Sequence, residues 1–231
     1  MFRCIDAVGR ARYRLAVLNP RWPVILFDLD GTVLDTVELI RASHEHALRE
    51  VLGVTLTDAE LMAGIGTPLR EQMVSFNAAH ADELYDTYRR WNHANTARLA
   101  CRYDGVDDVL VTLQAAGARL GIVTSKSRDA VELVLKALPA PIDWDVVITH
   151  DDSSLHKPHA EPLLVALAAL GAEPAAAVYI GDSPFDLQSA NAAGCSAIGV
   201  TWGVFPRAVL AEHETIAIVD TPAALQGVLL A

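Results

Sequence analysis

The sequence predicts an α/β protein: a doubly wound, mostly parallel sheet into which a small α-helical domain is inserted. Three observations predict it. Five short, unbroken apolar runs have the length of strands buried on both faces, as a parallel sheet requires. From Gly105 onward these runs alternate with helical patterns, as strands and crossover helices do. Residues 36–102, by contrast, contain no strand-like run at all.

The first strand is expected at residues 24–28 (VILFD), which end in an acid. The helical insertion follows. Its first helix, residues 37–52, carries Ile40, Ala47, Leu48, Val51 and Leu52 at helical spacing and stops at Gly53. Thr57 and Glu60 have the spacing of a capping box for a second helix. Thr67 and Pro68 read as the N-cap and first residue of a third. Leu84, Tyr88, Trp91, Asn95 and Leu99 line one stripe of a fourth.

The sheet domain then resumes. A helix over 106–116 closes at Gly117, a strand is expected at 120–124, and Ser127 opens a helix that stops before Pro139. A strand at 146–149 and a helix at 160–170, closed by Gly171, come next. A strand at 177–181, a helix at 184–193 closed by Gly194, and a strand at 197–200 complete the pattern. The division expected is a core domain of residues 22–35 and 103–231, an inserted domain of 36–102, and a basic, poorly ordered lead-in of 1–21.

Composition narrows the function. With 52% hydrophobic and 20% charged residues the chain is an ordinary globular one, not a disordered one. The longest apolar stretch, residues 163–172, is about half of the ~18 residues a membrane span needs, so no membrane is expected. A net charge of −11 argues against nucleic acid as a partner. Residues 1–21 hold five arginines and one aspartate, and Arg3, Arg10, Arg12 and Arg14 break every apolar core a secretory signal would need. Cys4, Cys101 and Cys195 are odd in number and far apart, which points to no disulfide framework and a reducing, cytoplasmic setting. Trp22, Trp91, Trp144 and Trp202 have no aromatic partners at suggestive spacing and are expected to pack. Monomer and homodimer both stay open.

In a doubly wound sheet, ligands bind outside the carboxyl ends of the strands. The first strand ends in Asp28-Leu29-Asp30-Gly31-Thr32, the second in Thr124-Ser125-Lys126, and the fourth leads into Asp182-Ser183-Pro184-Phe185-Asp186. The loop after the third strand supplies His156-Lys157-Pro158. Any one of these acids would pass as a helix cap or turn residue. Several carboxylates meeting at one edge repel unless a cation neutralises them, and hard oxygen donors point to Mg²⁺. Carboxylates, a divalent ion and a lysine suit the handling of a phosphoryl group, where charge stabilisation is most of the catalysis. The chain has only three lysines against fifteen arginines, so Lys126 and Lys157 are unlikely accidents of composition.

These stretches, DLDGTVLDT, VTS, HKPHAEP and GDSPFD, resemble the four ordered motifs of the haloacid dehalogenase (HAD) superfamily. The resemblance runs from about residue 24 into the C-terminal region. It implies a Rossmann-like core and, for the helical insertion, a type 1 cap. Within the superfamily the chain is most similar to phosphoglycolate phosphatases and related pyrophosphatases, which implies hydrolysis of a small phosphorylated metabolite or of pyrophosphate. By the resemblance, Asp28 is the nucleophile that becomes an aspartyl-phosphate, and Asp30 is the acid and base. Mg²⁺ is held by a carboxylate oxygen of Asp28, the backbone carbonyl of Asp30 and Asp182, with Asp186 acting through the ion's water shell. Thr124 binds the transferring phosphoryl group and Lys157 neutralises it. Backbone amides around Leu29 face the phosphate, and Ser125 is a further substrate contact.

Selectivity among such enzymes is harder to read. Lys126 and Arg70 are the expected contacts to a second anionic group on the substrate, and Arg128 is a further possibility. Asp30 argues against a dehalogenase, because halide needs no proton on leaving. A sugar-phosphate mutase would need a proton-shuttling histidine near the middle of the first inserted helix, where Ile40 stands, with His44 and His46 nearby. A non-catalytic binding or regulatory module of the same fold is the alternative from another class. The intact acids and Lys157 favour the enzyme.

Overall fold

The computed structural model describes residues 19–230, together with the backbone pairing of two short strands, β1 (Cys4–Ile5) and β2 (Ala11–Arg12). Most of the basic lead-in, and the order expected of it, lies outside the described residues.

The core is a six-stranded, wholly parallel sheet. Its strands in chain order are β3 (Val24–Phe27), β6 (Arg119–Val123), β7 (Val146–Ile148), β8 (Ala177–Gly181), β9 (Ser196–Val200) and β10 (Ala217–Val219). Their spatial order is β10-β9-β8-β3-β6-β7, so the first core strand sits in the middle and the chain winds outward from it in both directions. Two faces follow from the two-residue period. Ile25, Phe27, Ile122, Ile180 and Ile198 pack on one side, against α5 (Val106–Ala115), α6 (Arg128–Ala137) and α10 (Pro222–Leu229). Val24, Leu26, Val123 and Tyr179 pack on the other, against α7 (Glu161–Leu170), α8 (Pro184–Ala193) and α9 (Arg207–Leu210). This double burial is why the strands read as unbroken apolar runs. The tryptophans pack as expected: Trp144 meets Phe27 edge-on at 6.3 Å, and Trp202 meets Tyr103 at 6.4 Å.

Between β3 and α5 the chain leaves the sheet through β4 (Leu34–Asp35) and returns through β5 (Cys101–Arg102), an antiparallel pair two residues long. Arg102, expected to close the insertion, is therefore part of its stalk; a two-residue strand is too short to show a period. The insert holds α1 (Val37–Leu52), α2 (Asp58–Met62), α3 (Leu69–Asn77) and α4 (Ala81–Leu99) around its own apolar cluster of Leu48, Leu61, Met73, Leu84 and Tyr88. The Thr57–Glu60 capping box forms.

Other local expectations shift. Pro68, not Thr67, is the N-cap of α3, because the Thr67 hydroxyl is drawn back to the Gly64 carbonyl at 2.7 Å. Ser127 occupies the N-cap of α6, but its hydroxyl bonds Asp129, and Asp151 takes the Arg128 amide instead. The fully buried face of α4 passes through Leu84 and Tyr88 to Asn92 and Thr96, while Trp91 and Leu99 are half-buried against the core cluster. Asn92 is satisfied there by the Ser43 hydroxyl of α1 at 3.0 Å, so a polar residue holds a position that an apolar count misses. Neither β10 nor α10 was expected. β10 is a three-residue edge strand, and α10 opens at Thr221, whose side chain accepts from the Ala224 amide.

Candidate active site

Winding outward from β3 brings the carboxyl ends of β3, β6 and β8 side by side. Phe27 is in register with Ile122 on one flank and Ile180 on the other. The residues that follow, Asp28, Thr124 and Asp182, are thereby delivered to one crevice, and the Asp28 amide is tied to the Ile180 carbonyl at 2.8 Å. Asp186 joins them from the first turn of α8, where it closes a capping box with Ser183. Each of Asp28, Asp182 and Asp186 offers a carboxylate oxygen within 4.8 Å of the others, and all three side chains are buried.

Lys157 lies among them, 3% exposed, with Nζ 2.6 Å from Asp186 and 2.9 Å from Asp28 Oδ1. Lys157 neutralises this buried oxygen of Asp28, which has no other partner among the described residues and keeps acceptor capacity. Asp186, in contrast, is filled: Lys157 donates to one oxygen, with the Tyr179 hydroxyl 3.2 Å from it and itself donating to the Val123 carbonyl at 2.6 Å, and the Ser183 amide and hydroxyl donate to the other. Asp182 accepts from Thr32 at 3.2 Å and from the Val204 amide at 2.7 Å. Gly31, at φ 78°, and Gly203 let two loops close on this carboxylate; a Cβ on either would stand 2.4 or 2.2 Å from Asp182 Oδ2.

Burial is the first cause of the electrostatics. It pushes Asp28 up to about 7, Lys157 pulling the other way and Asp186 and Asp30 adding to the rise. It lifts Asp182 well above the carboxylate range, helped by Asp186 and Asp28. Burial works against the charge of Lys157, but Asp186 and Asp28 outweigh it and hold the ammonium above its ordinary value. One lysine among three buried carboxylates leaves excess negative charge, and a hard divalent cation is what such a donor set fits.

Asp30 stands apart from the cluster. Lys126 Nζ reaches both its oxygens, at 2.9 and 3.1 Å, and Thr36 donates to one at 2.6 Å. Lys126 thus lines the pocket but is engaged with Asp30. The Thr124 hydroxyl accepts from the Lys126 amide at 3.2 Å and faces the pocket. Ser125, expected as a substrate contact, lines the pocket, and its hydroxyl donates to the Gly66 carbonyl of the insert at 2.7 Å. Leu29 offers only its backbone, since its side chain belongs to the apolar core. Arg70 lines the pocket, yet its guanidinium pairs with the exposed Asp82 and lies over the Tyr85 ring at 4.6 Å. Arg128 pairs with Asp152.

The pocket is enclosed between these strand ends and the helical insert. Ile40 faces it and has no proton to move, while His44 is buried inside the insert between Phe76 and Tyr88, and His46 stacks on Trp91. Among the described residues, no histidine of α1, where a mutase would carry it, lines the pocket. Sequence reasoning missed Tyr85, Arg89 and His93, which line the pocket from α4. Their four-residue spacing puts them on one face of the helix, and that polar stripe was available in the sequence beside the apolar one. His150 was missed too; it lines the pocket with its ring stacked on His156 at 4.0 Å.

Residues 25–200 match the family model described as haloacid dehalogenase-like hydrolase. The pyrophosphatase PpaX of Bacillus velezensis is 38% identical over 196 residues, covering 85% of this chain and 91% of the relative. The pyrophosphatase PpaX of Anoxybacillus flavithermus is 39% identical over 190 residues, covering 82% and 88%. Among solved structures, a haloacid dehalogenase-like family hydrolase from Streptococcus pneumoniae superposes with a TM-score of 0.79 at 27% identity, over 89% of this chain and 97% of that one. A predicted phosphoglycolate phosphatase from Haemophilus somnus shares the fold, with a TM-score of 0.81 at 23% identity over 90% and 97%. Among the described residues no helix is long and apolar enough to cross a membrane. With the motifs, the sheet order and the buried carboxylates in agreement, the chain belongs to the haloacid dehalogenase-like hydrolase family and is one of its phosphatases.

Proposed function

We propose that the chain is a Mg²⁺-dependent phosphohydrolase that works through an aspartyl-phosphate on Asp28, with inorganic pyrophosphate as its leading substrate. The observation that carries the reading is the cluster of Asp28, Asp182 and Asp186 with Lys157 at the pocket floor. The relatives named pyrophosphatase support the substrate, and a small phosphoglycolate-like monoester is the comparison substrate.

Asp28, the backbone carbonyl of Asp30 and Asp182 would hold Mg²⁺, with Asp186 behind them. The filled hydrogen bonding of Asp186 suits that indirect place. When bound, the ion neutralises negative charge on the floor and on the phosphoryl oxygens. Asp28 Oδ then attacks phosphorus as the bridging P–O bond breaks, with Asp30 delivering a proton to the departing oxygen. In the second step Asp30 takes a proton from water, the water oxygen bonds phosphorus, and the Asp28–phosphorus bond opens. Thr124 hydrogen-bonds the phosphoryl group in transit, and Lys157 offsets its charge while keeping Asp28 in place.

Asp28→Asn tests this reading. The variant keeps nearly the same volume, so it is expected to fold and to lose at least about 10⁴-fold in pyrophosphate turnover. The wild type should need added Mg²⁺ and yield an acid-stable phosphoenzyme on rapid quench. Substantial turnover by the verified variant, or full activity of chelator-treated wild type, would overturn it.

A further inference from the structure

The insert carries nine acidic residues between positions 36 and 102, in a chain of net charge −11. Among the described residues, none of the nine lines the pocket, whereas Arg70, Arg89 and His93 do. The insert therefore turns a purely cationic and neutral wall toward the strand ends. The reacting phosphoryl group belongs with Asp28 on the floor, so this wall faces the other end of the substrate.

Arg89 is the best placed of the three. Its Nη1 donates to the Tyr85 hydroxyl at 3.2 Å, and its guanidinium lies 5.5 Å from the centre of the ring that Arg70 covers at 4.6 Å. His93 follows one turn later on the same face. The other arm of Arg89 pairs with Asp129 of the core, which also has His93 Nε2 at 3.8 Å. Both partners of that pair are partly open to solvent, with side chains 31% and 50% exposed. An ion pair of this kind holds weakly, so a small anion bearing several charges can displace Asp129 at little cost. The pairing with Tyr85 keeps the guanidinium aimed while it changes partner.

We infer that Arg89, held by Tyr85 and assisted by His93, is a specificity-determining residue that binds the anionic leaving group of the substrate, and that Asp129 occupies it until the substrate arrives. The inference rests on the reading of Asp28 as the reacting end and names the substrate class of that site: phosphates whose leaving group is itself an anion.

Asp129 makes the test decisive, because a strut and a binding group respond to it with opposite signs. Imidodiphosphate, which is not hydrolysed, is titrated calorimetrically into the Mg²⁺-loaded wild type, Arg89→Ala, Arg89→Lys and Asp129→Asn. Pyrophosphate and nitrophenyl phosphate kinetics accompany it. Arg89→Ala is expected to weaken imidodiphosphate about tenfold or more and to lower the pyrophosphate to nitrophenyl phosphate ratio in kcat/KM by a similar factor, carried by KM. Arg89→Lys should recover part of the loss. Asp129→Asn, which frees Arg89, should tighten imidodiphosphate and lower the pyrophosphate KM. If Asp129→Asn and Arg89→Ala weaken binding alike, Arg89 is only a strut between insert and core and the inference is wrong. It is equally wrong if neither variant changes the ratio. The binding arm needs no nucleophile, so an active Asp28→Asn enzyme would sink the covalent mechanism without touching this result.

Discussion

The floor and the roof of the pocket are built from different kinds of contact. On the floor, Asp28, Asp182, Asp186 and Lys157 are buried, and nearly every polar atom has a partner from a different strand end or loop. On the roof, Arg70 and Arg89 sit in pairs with Asp82 and Asp129 whose members are open to water. Buried charges are costly to leave unpaired and hold one geometry. Exposed pairs are worth little and can exchange partners. The floor is therefore suited to positioning a reaction common to a family, and the roof to choosing among substrates. The two meet at Lys126, rooted in the core but extended to Asp30, and at the Ser125–Gly66 hydrogen bond.

The sharpest way to break this contrast is on the floor. Asp30→Asn should slow phosphoenzyme formation roughly 10²–10⁴-fold with an alkyl phosphate, whose leaving oxygen needs a proton, and far less with nitrophenyl phosphate. With the latter, rapid quench should show a burst of nitrophenol and accumulated phosphoenzyme. Equal slowing for both leaving groups, without a burst, would confine Asp30 to shaping the loop.

Lys157→Met should destabilise the metal-free protein by about 3–5 kcal/mol, because it leaves buried carboxylates without their cation. Urea unfolding in chelator measures this. A loss below about 1 kcal/mol would mean that the floor is not electrostatically strained.

The insert has a pH weakness of its own. Burial lowers His44 from its ordinary 6.5 to about 4, so the folded protein keeps it neutral while the unfolded chain protonates it. Its contribution is present above pH 6.5 and is lost as pH falls toward 4, at most about 3 kcal/mol. His44→Phe should flatten that part of the stability curve, measured by denaturant unfolding at pH 7 and pH 4.5. An unchanged slope would place the acid sensitivity elsewhere.

The smallest effect concerns the seam. Ser125→Ala removes one hydrogen bond between core and insert, worth about 1 kcal/mol. Hydrogen exchange in residues 64–67 should rise, with turnover changed only several-fold. A loss as large as that of Asp28→Asn would place Ser125 among the groups that handle the phosphoryl.

The architecture and the family were legible because both rest on local pattern. Unbroken apolar runs are imposed by burial on two faces, and DLDGT, HKPHAEP and GDSPFD hold their polar residues at short, fixed spacing. Elements without a pattern were not legible. The stalk strands are two residues long, β10 is three, and the face of α4 is buried on Asn92 and Thr96.

Along the chain, then, the sequence alone determined the sheet domain with its helical insertion, the family, and the acids and lysine that gather at the strand ends. Tertiary structure alone decided where the shared polar groups point. Lys126 was free to meet substrate or Asp30 and takes Asp30; Ser125 takes Gly66; Arg70 leans to Asp82; and Arg89, one residue of a polar stripe on α4, is turned into the pocket and onto Asp129. The physical reason is that a long polar side chain selects among partners brought near it by distant segments. Those partners lie 96 positions away for Lys126 and Asp30, and 40 for Arg89 and Asp129, beyond the reach of any local spacing rule.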